Sequence, residues 1–236
     1  TICPDALCPL PSATIVEFVP DRGSAALLDG QRLPRGTTLV GPDTGESEVR
    51  PTFTTAHELE LHALEVEEVA YHARDLATLD LGDLDGVRSA LRVRLRTLLD
   101  RPVAALELDR LVLHLAGGDA LPHRLYELIF GHAVGVAVHG AERPTPWVRR
   151  LPRAAIAQVG FEPEESLLPA GRRGYDGHRL LREYHALPER FLFAAVGGLR
   201  APLADCEARA FDLTVLFDRD EPGLEHLVDR DRKSVV

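Results

Sequence analysis

The chain contains 236 residues, of which 45% are apolar, and this is enough for one large domain or two small ones with a buried core. Its formal net charge of −10 at pH 7 argues against a nucleic-acid-binding protein, because phosphate contacts need concentrated Lys and Arg. No apolar run approaches the roughly 18 residues that cross a bilayer, and no signal peptide is evident. We therefore expect a folded, soluble protein without direct membrane insertion.

The cysteine and methionine content indicates the redox compartment of the chain and its relation to a longer protein. Cys3, Cys8 and Cys206 are an odd number of thiols, so we expect no disulfide framework and a reducing compartment. The chain has no methionine, and it opens in TICPDALCPLPS, which is typical of a connecting segment. These two observations predict an internal fragment of a longer protein.

Two-residue alternation of apolar side chains is the dominant pattern, and it predicts strands with one apolar face. The first predicted strand is ATIVEFV, residues 13–19, which Pro20 ends. In the following LLDGQRLPRGTTLV, Asp29-Gly30 and Pro34-Arg35-Gly36 are two turn signals close together. They predict short hairpin strands.

The next two predicted strands carry opposite charges. In HELELHALEVEEV, residues 57–69, the apolar parity changes, and a bulge or break near Ala63 would restore one apolar face. In SALRVRLRT, residues 89–97, three aliphatic residues alternate with three arginines. We expect the acidic side chains to oppose these arginines across neighbouring strands, where each pair contributes about 0.2 to 1 kcal/mol.

Two further stretches repeat the alternation, namely LDRLVLHLAGG at residues 108–118 and AFDLTVLFD at residues 210–218. Apolar residues occupy one face of each predicted strand. This pattern is typical of antiparallel strands with the other face in solvent.

Helical spacing occurs mainly in the second half of the chain. DALPHRLYELIF, residues 119–130, has Asp119 as a candidate N-cap and is followed by the predicted strand AVGVAVH. In GHRLLREYHALPERFLF, residues 177–193, a helix is predicted to end before Pro188, after which FLF begins a strand. Strands and helices do not alternate regularly, as they would in βαβ units. The pattern therefore predicts an α+β, mainly β fold with antiparallel strands and two or three helices. We divide it into a β-rich part, residues 1–118, and an α+β part, residues 119–236, with a single unit as the alternative.

The sequence shows no catalytic, metal or cofactor constellation, so we predict no residues for any of these roles. The closest histidine pairs, which lack the spacing of a metal site, are His57 with His62 and His178 with His185. A phosphate-binding loop and a G-x-S-x-G nucleophile motif are both missing. The adjacent carboxylates Glu164 and Glu165 are typical of a solvated loop, and Arg172 and Arg173 of surface charge.

A long, ordered set of segments resembles one known family. AIAQVGFEPEESLLP followed by GYDGHRLLREYHALPERFLF resembles the signature region of the TssF family, also called ImpG or VasA, a baseplate subunit of the type VI secretion system. PSATIVEFVPD, LPRGTTL, PTFTTAHELEL, LRVRLRT and HRLYELIFGHAVGVAV agree in order, so the resemblance covers residues from about 9 to 228. The chain departs from the family pattern at His178, His185 and Leu187, where the family commonly has aromatic residues.

The resemblance implies a structural, non-enzymatic role in protein secretion. A TssF-like chain is expected to scaffold the baseplate wedge complex of a contractile injection system through contacts with TssG and TssK, further TssF copies and other baseplate subunits. It implies no cofactor and no nucleic acid. The implied location is cytoplasmic, at the baseplate docked on the inner membrane of a bacterium. The alternative is a hydrolase or metal-dependent enzyme with an unrecognised site of histidines and carboxylates.

The signature stretch also predicts how its helix is oriented. Its apolar stripe and the aromatic residues after Pro188 are expected to be partly buried, namely Leu180, Leu181, Tyr184, Phe191 and Phe193. The opposite, polar face is expected to remain for solvent or a partner. The candidate partner-binding residues are therefore Arg179, Arg182 and Glu183.

Overall fold

The computed structural model describes residues 9–19, 30–41, 50–118, 120–168 and 176–230, with the backbone alone for residues 229 and 230. The strands within these ranges are β1 (Gln31–Leu33), β2 (Thr38–Val40), β3 (Thr52–Thr54), β4 (Leu59–Leu61), β5 (Leu64–His72), β6 (Ser89–Thr97), β7 (Arg110–His114), β8 (Ala133–Gly140), β9 (Val148–Pro152), β10 (Ile156–Val159), β11 (Phe193–Gly197) and β12 (Ala210–Phe217). The α-helices are α1 (Leu121–His132), α2 (Asp176–Ala186), α3 (Arg200–Leu203) and α4 (Leu224–Arg230). The predicted α+β, mainly β class is confirmed.

The chain forms two compact units, each assembled from separate stretches. The small unit contains Thr1–Val19, Gln31–Leu61 and Val159–Phe191, and the large unit contains Pro20–Gly30, His62–Gln158 and Leu192–Val236. Each unit draws residues from both sides of the boundary that we placed between 118 and 119. That division stays a prediction.

A five-stranded antiparallel sheet in the order β5-β6-β12-β8-β9 is the centre of the large unit. The alternation in β6 sorts its side chains as predicted, because Leu91, Val93 and Leu95 are almost fully buried. A second sheet has the order β10-β11-β7, in which β11 and β7 are antiparallel. The predicted strands at residues 108–118 and 210–218 are both present.

The prediction that one face of each strand is in solvent is wrong for β12. Its position in the middle of the sheet leaves Phe211–Phe217 buried on both faces. On the second face, Asp212 and Thr214 have no exposed surface, and Leu216 packs with Leu79 and Leu81 from the segment that follows β5. The alternation of apolar residues therefore predicted the position of β12 correctly. It wrongly predicted that the polar residues of β12 are exposed to solvent.

The acidic and arginine-rich strands are neighbours, as predicted. β5 pairs with β6, and a bulge between Val66 and Glu68 shifts the register. Glu68 lies 2.6 Å from Arg92, and Glu67 lies 3.5 Å from Arg96. The predicted break near Ala63 is also confirmed, because the chain leaves β4 after Leu61 and begins β5 at Leu64.

Helix α1 buries the apolar positions that its spacing predicted, Leu121, Leu125, Leu128 and Ile129. It passes directly into β8, as expected. The proposed N-cap, Asp119, lies outside the described residues. None of the described helices is long and apolar enough to cross a membrane.

The small unit departs most from the sequence prediction. The predicted strand at residues 13–19 is wrong, since these residues adopt neither strand nor helix. The turn at Pro34–Gly36 is present, with Thr37 N donating to the Pro34 carbonyl at 3.2 Å. The strands on either side of it do not pair with each other, because β1 pairs with β4 and β2 pairs with β3. The second turn signal includes Asp29, which lies outside the described residues.

Candidate partner-binding site

The signature stretch folds as the predicted succession of helix, abrupt stop and strand. Helix α2 ends at Ala186, Pro188 begins one turn of 3₁₀-helix that runs to Phe191, and β11 follows from Phe193. Proline disfavours helix at the residue before it, so the stop is fixed locally. Phe191 is buried and Phe193 is half-buried.

Leu180 is half-buried as predicted, but the predicted orientation of α2 is wrong for its other residues. Arg179 and Glu183 are 8% and 0% exposed, whereas Leu181 and Tyr184 are 61% and 50% exposed. Arg182, the third candidate of the polar face, is half-buried. Arg179 and Glu183 thus lie inside the small unit, while part of the apolar stripe of α2 lies at the surface.

The buried charges are accommodated because the Glu183 carboxylate is surrounded by donors. One carboxylate oxygen, Oε1, accepts from Leu168 N at 2.9 Å and from the Arg179 guanidinium at 3.3 Å. The other, Oε2, accepts from Arg190 and lies 3.3 Å from Arg179. Buried ions require this kind of pairing, since an unpaired charge in the interior is costly. We refer to Arg179, Glu183 and Arg190 as the ion cluster.

Arg190 connects the ion cluster to the loop before α2. Its Nη2 donates to the Glu165 carbonyl at 2.6 Å, and its guanidinium lies 4.7 Å from the centre of the Phe191 ring. Burial lowers the pKa of the Arg190 guanidinium, and the Glu183 carboxylate raises it. An arginine retains its charge under such opposing effects, so Arg190 remains an ion-pair partner of Glu183.

Residues 159–168, called the signature loop, are fastened at several further points. The Glu165 carboxylate accepts from Gly160 N at 2.6 Å, and Arg179 Nη2 donates to the Phe161 carbonyl at 3.2 Å. Arg35 Nη2 donates to the carbonyl of Ser166 at 2.8 Å. The interpretation of Glu164 and Glu165 as a solvated loop is wrong for Glu165, whose carboxylate is hydrogen-bonded within the unit.

Gly160 is required by the geometry of this loop. Its φ of +101° lies in the region that L-residues rarely adopt, and a Cβ atom there would lie 2.8 Å from the Arg190 carbonyl oxygen. The glycine therefore allows the loop to approach the backbone next to the ion cluster.

Sequence reasoning identified two members of the ion cluster and missed its organisation. Arg179 and Glu183 are spaced i, i+4, which is equally typical of an exposed helical pair, and Arg190 lies beyond the end of the helix. Arg35, Glu165 and Arg190 come together in space only through contacts between distant parts of the chain, which a local pattern does not show. The arginines Arg172 and Arg173 lie outside the described residues.

The contacts of the ion cluster hold α2 and the signature loop together. The Glu183 carboxylate accepts from Leu168 N, Arg179 and Arg190, and each of these arginines also donates to a backbone carbonyl. Among the residues that the structure describes, no group of three His, Cys, Asp or Glu side chains is arranged to hold a metal ion. The outward-facing side chains of α2 include Leu181, Tyr184 and, in part, Arg182.

Three comparisons place the chain among known proteins. Residues 1–233 match the family model described as "Type VI secretion system, TssF". Over 233 residues the chain is 38% identical to the type VI secretion system component TssF1 of Pseudomonas aeruginosa, a match that covers 97% of this chain and 37% of that protein.

The fold is also similar to a solved structure. The match is to a chain in the cryo-electron microscopy structure of the TssK-TssF-TssG baseplate subcomplex of the type VI secretion system. The TM-score is 0.65 at 22% identity, and the match covers 83% of this chain and 34% of that chain. This chain thus spans little more than a third of the length of the proteins it matches, and the match to the family model covers nearly all of it. The chain belongs to the TssF family of the type VI secretion system.

Proposed function

We propose that the chain is a structural part of the type VI secretion system baseplate, where it scaffolds assembly of the contractile tail through protein–protein contacts. The observation that carries this proposal is the TssF family match over residues 1–233. The similar fold found in a TssK-TssF-TssG subcomplex supports TssG and TssK as partners. Further TssF copies and other baseplate subunits are additional partners in this proposal.

The proposed role is non-enzymatic, and the proposed location is the cytoplasm, at a baseplate docked on the inner membrane of a bacterium. The internally paired ion cluster supports a scaffold, because its polar groups are committed to holding the chain together. The net charge of −10 supports protein partners over nucleic acid.

The outward side of α2 is the contact surface that we propose. Of the three candidate residues, Arg182 is the one whose side chain is partly exposed, while Arg179 and Glu183 act by holding the helix in place. Leu181 and Tyr184 add exposed apolar area beside it. Aromatic residues and arginine are enriched in protein interfaces, which fits this composition.

Capture of the purified chain by tagged TssG and TssK from the same genome tests the proposal. We expect capture by at least one of them, and we expect Arg182→Glu to weaken that capture. Arg200→Glu is the matched control, because Arg200 is an exposed arginine of the large unit, on α3. Absence of capture by either protein, with the chain folded, would overturn the proposed partners. Equal capture of the two variants would overturn the proposed surface alone.

A further inference from the structure

The rotation of α2 about its own axis does not follow its apolar pattern. Successive residues of an α-helix are about 100° apart, so the apolar residues Leu180, Tyr184 and Leu187 define one direction around the helix. The buried side chains Arg179 and Glu183 define another. The two directions differ by about 100°, which is one residue step. Helix α2 is therefore turned away from the orientation that would bury its apolar stripe.

The free energy of burial by itself favours an orientation in which α2 is turned by about one residue step. Removing Tyr184 from water is favourable, whereas burying charged groups is costly even when they are paired. Turning α2 by one residue step would place Tyr184 inward and release Glu183 toward solvent. Some specific set of contacts must hold the observed rotation against this preference.

The contacts around Glu183 provide that hold. Leu168 N and Arg190 approach the carboxylate from outside the helix, and both depend on Glu183 pointing inward. Arg179, one turn before Glu183, reaches the Phe161 carbonyl from the same side of the helix. Buried polar groups are known to fix the register of packed helices at a cost in stability.

We propose that the ion cluster is a registry device, which fixes the rotation of α2 so that Tyr184 stays at the surface. The proposal concerns the fold of the small unit and stands independently of the proposed function. A registry device and a simple anchor differ in the effect of removing the ion cluster. If the ion cluster only anchors α2, its removal loosens the helix and exposes more of Tyr184. If it fixes the rotation of α2, its removal lets the helix rotate about its axis until Tyr184 is buried.

Nitration of tyrosine by tetranitromethane, measured by mass spectrometry of the Tyr184 peptide in the full chain, separates these two roles. The test variant replaces the ion cluster with apolar residues of similar size, Arg179→Met, Glu183→Leu and Arg190→Met. Such replacements of buried ions are often neutral for stability, so the fold is expected to survive. We expect nitration of Tyr184 to slow by about tenfold or more, because a buried ring reacts only through local opening.

Two other tyrosines are internal references for this experiment. Both lie in the large unit: Tyr71, which is 2% exposed, reports unfolding of that unit, and the half-buried Tyr126 should react at an unchanged rate. The matched control variant carries Arg182→Met and Glu189→Leu, which remove one arginine and one glutamate outside the ion cluster. Its Tyr184 should be nitrated at the wild-type rate.

Unchanged or faster nitration of Tyr184 in the folded test variant would overturn the proposal. If limited proteolysis shows that the small unit of this variant is unfolded, the isosteric Glu183→Gln variant decides the question. It leaves an acceptor for Leu168 N and removes the charge that pairs with the two arginines. Slower nitration of Tyr184 in Glu183→Gln supports a registry device, and equal or faster nitration contradicts it.

Discussion

Arg94 on β6 and Asp212 on β12 lie directly opposite each other and form a two-pronged ion pair inside the large unit. Arg94 Nε lies 2.7 Å from Oδ1, and Nη2 lies 2.9 Å from Oδ2 of Asp212. Asp212 is completely buried, and the Arg94 side chain is 22% exposed. The hydrogen bond to Asp212 raises the pKa of Arg94. The arginine stripe of β6 thus supplies the partner of the buried acid on the central strand.

Removing the charge of Asp212 should destabilise the large unit strongly. In Asp212→Asn, Arg94 loses its buried counter-ion and keeps Glu68, which is 47% exposed, at 3.7 Å. We expect a loss of about 3 kcal/mol in the free energy of unfolding, measured by urea denaturation. Asp100→Asn is the matched control, because Asp100 also pairs with an arginine but is 97% exposed. It should change the free energy by less than about 0.5 kcal/mol. Equal losses in the two variants would show that burial of the pair is unimportant.

Replacing Gly160 by alanine should destabilise the small unit. The left-handed backbone and the close approach of a Cβ atom to the Arg190 carbonyl together should cost at least about 2 kcal/mol. Gly131→Ala is the control, since Gly131 is helical, exposed and has open space around it. It should stabilise the protein by about 0.5 to 1 kcal/mol. A neutral Gly160→Ala variant in thermal melting would contradict the described loop geometry.

Truncation of Phe191 compares a buried and an exposed residue of the signature stretch. Phe191 is 7% exposed and its ring lies 4.9 Å from that of Phe161, so Phe191→Ala should cost about 3 kcal/mol. Leu181→Ala should cost less than about 0.5 kcal/mol, because Leu181 is 61% exposed. Both values can be measured by denaturation with urea. The opposite ranking would mean that α2 buries its apolar stripe after all.

Stability should fall in mild acid because of His139. A carbonyl oxygen can only accept, so His139 Nδ1–H donates to the Gly140 carbonyl, and Nε2 accepts from the Thr214 hydroxyl. Burial lowers the pKa of His139 below its ordinary value of 6.5, with Arg143 and Arg92 acting in the same direction and Asp212 opposing them. The folded state therefore resists a proton that the unfolded state binds.

The consequence for the pH dependence has a definite sign. Above about pH 6.5 both states carry neutral His139, and this residue contributes no pH dependence. As the pH falls from there toward the lower folded pKa, His139 reduces the free energy of unfolding by up to about 1.4 kcal/mol per pH unit. His139→Gln should remove this component, and His123→Gln, at an exposed position, should retain it. An identical pH profile for wild type and His139→Gln would refute the assignment.

The alternation of apolar and polar residues predicted the strands of the large unit, because aliphatic side chains pack on one face of a strand and charged side chains on the other. In β6, the aliphatic side chains face the core and the arginines meet the acids of β5 and β12, so local pattern and tertiary packing agree. The same reasoning missed that Asp212 is buried. Whether a strand is central or at an edge depends on the order of strands in the sheet, which no local pattern contains.

The small unit was predicted poorly because long-range contacts determine its structure. β1 pairs with β4, 26 or more residues further along the chain, although a turn signal directly follows β1. The orientation of α2 was mispredicted for a related reason. Its apolar stripe is regular, and the arginine that helps to hold Glu183 inward lies beyond Pro188, outside the helical pattern. The partner-binding role of Arg182 stays a prediction.

Size-exclusion chromatography with light scattering, applied to the chain mixed with purified TssG and with purified TssK, tests the central claim most directly. A structural baseplate component should co-elute with at least one of these proteins at the mass of a complex of defined stoichiometry. Circular dichroism of the same sample establishes that the chain is folded. A folded chain that elutes at its own mass beside each partner would contradict the proposal that these residues scaffold the baseplate through TssG or TssK.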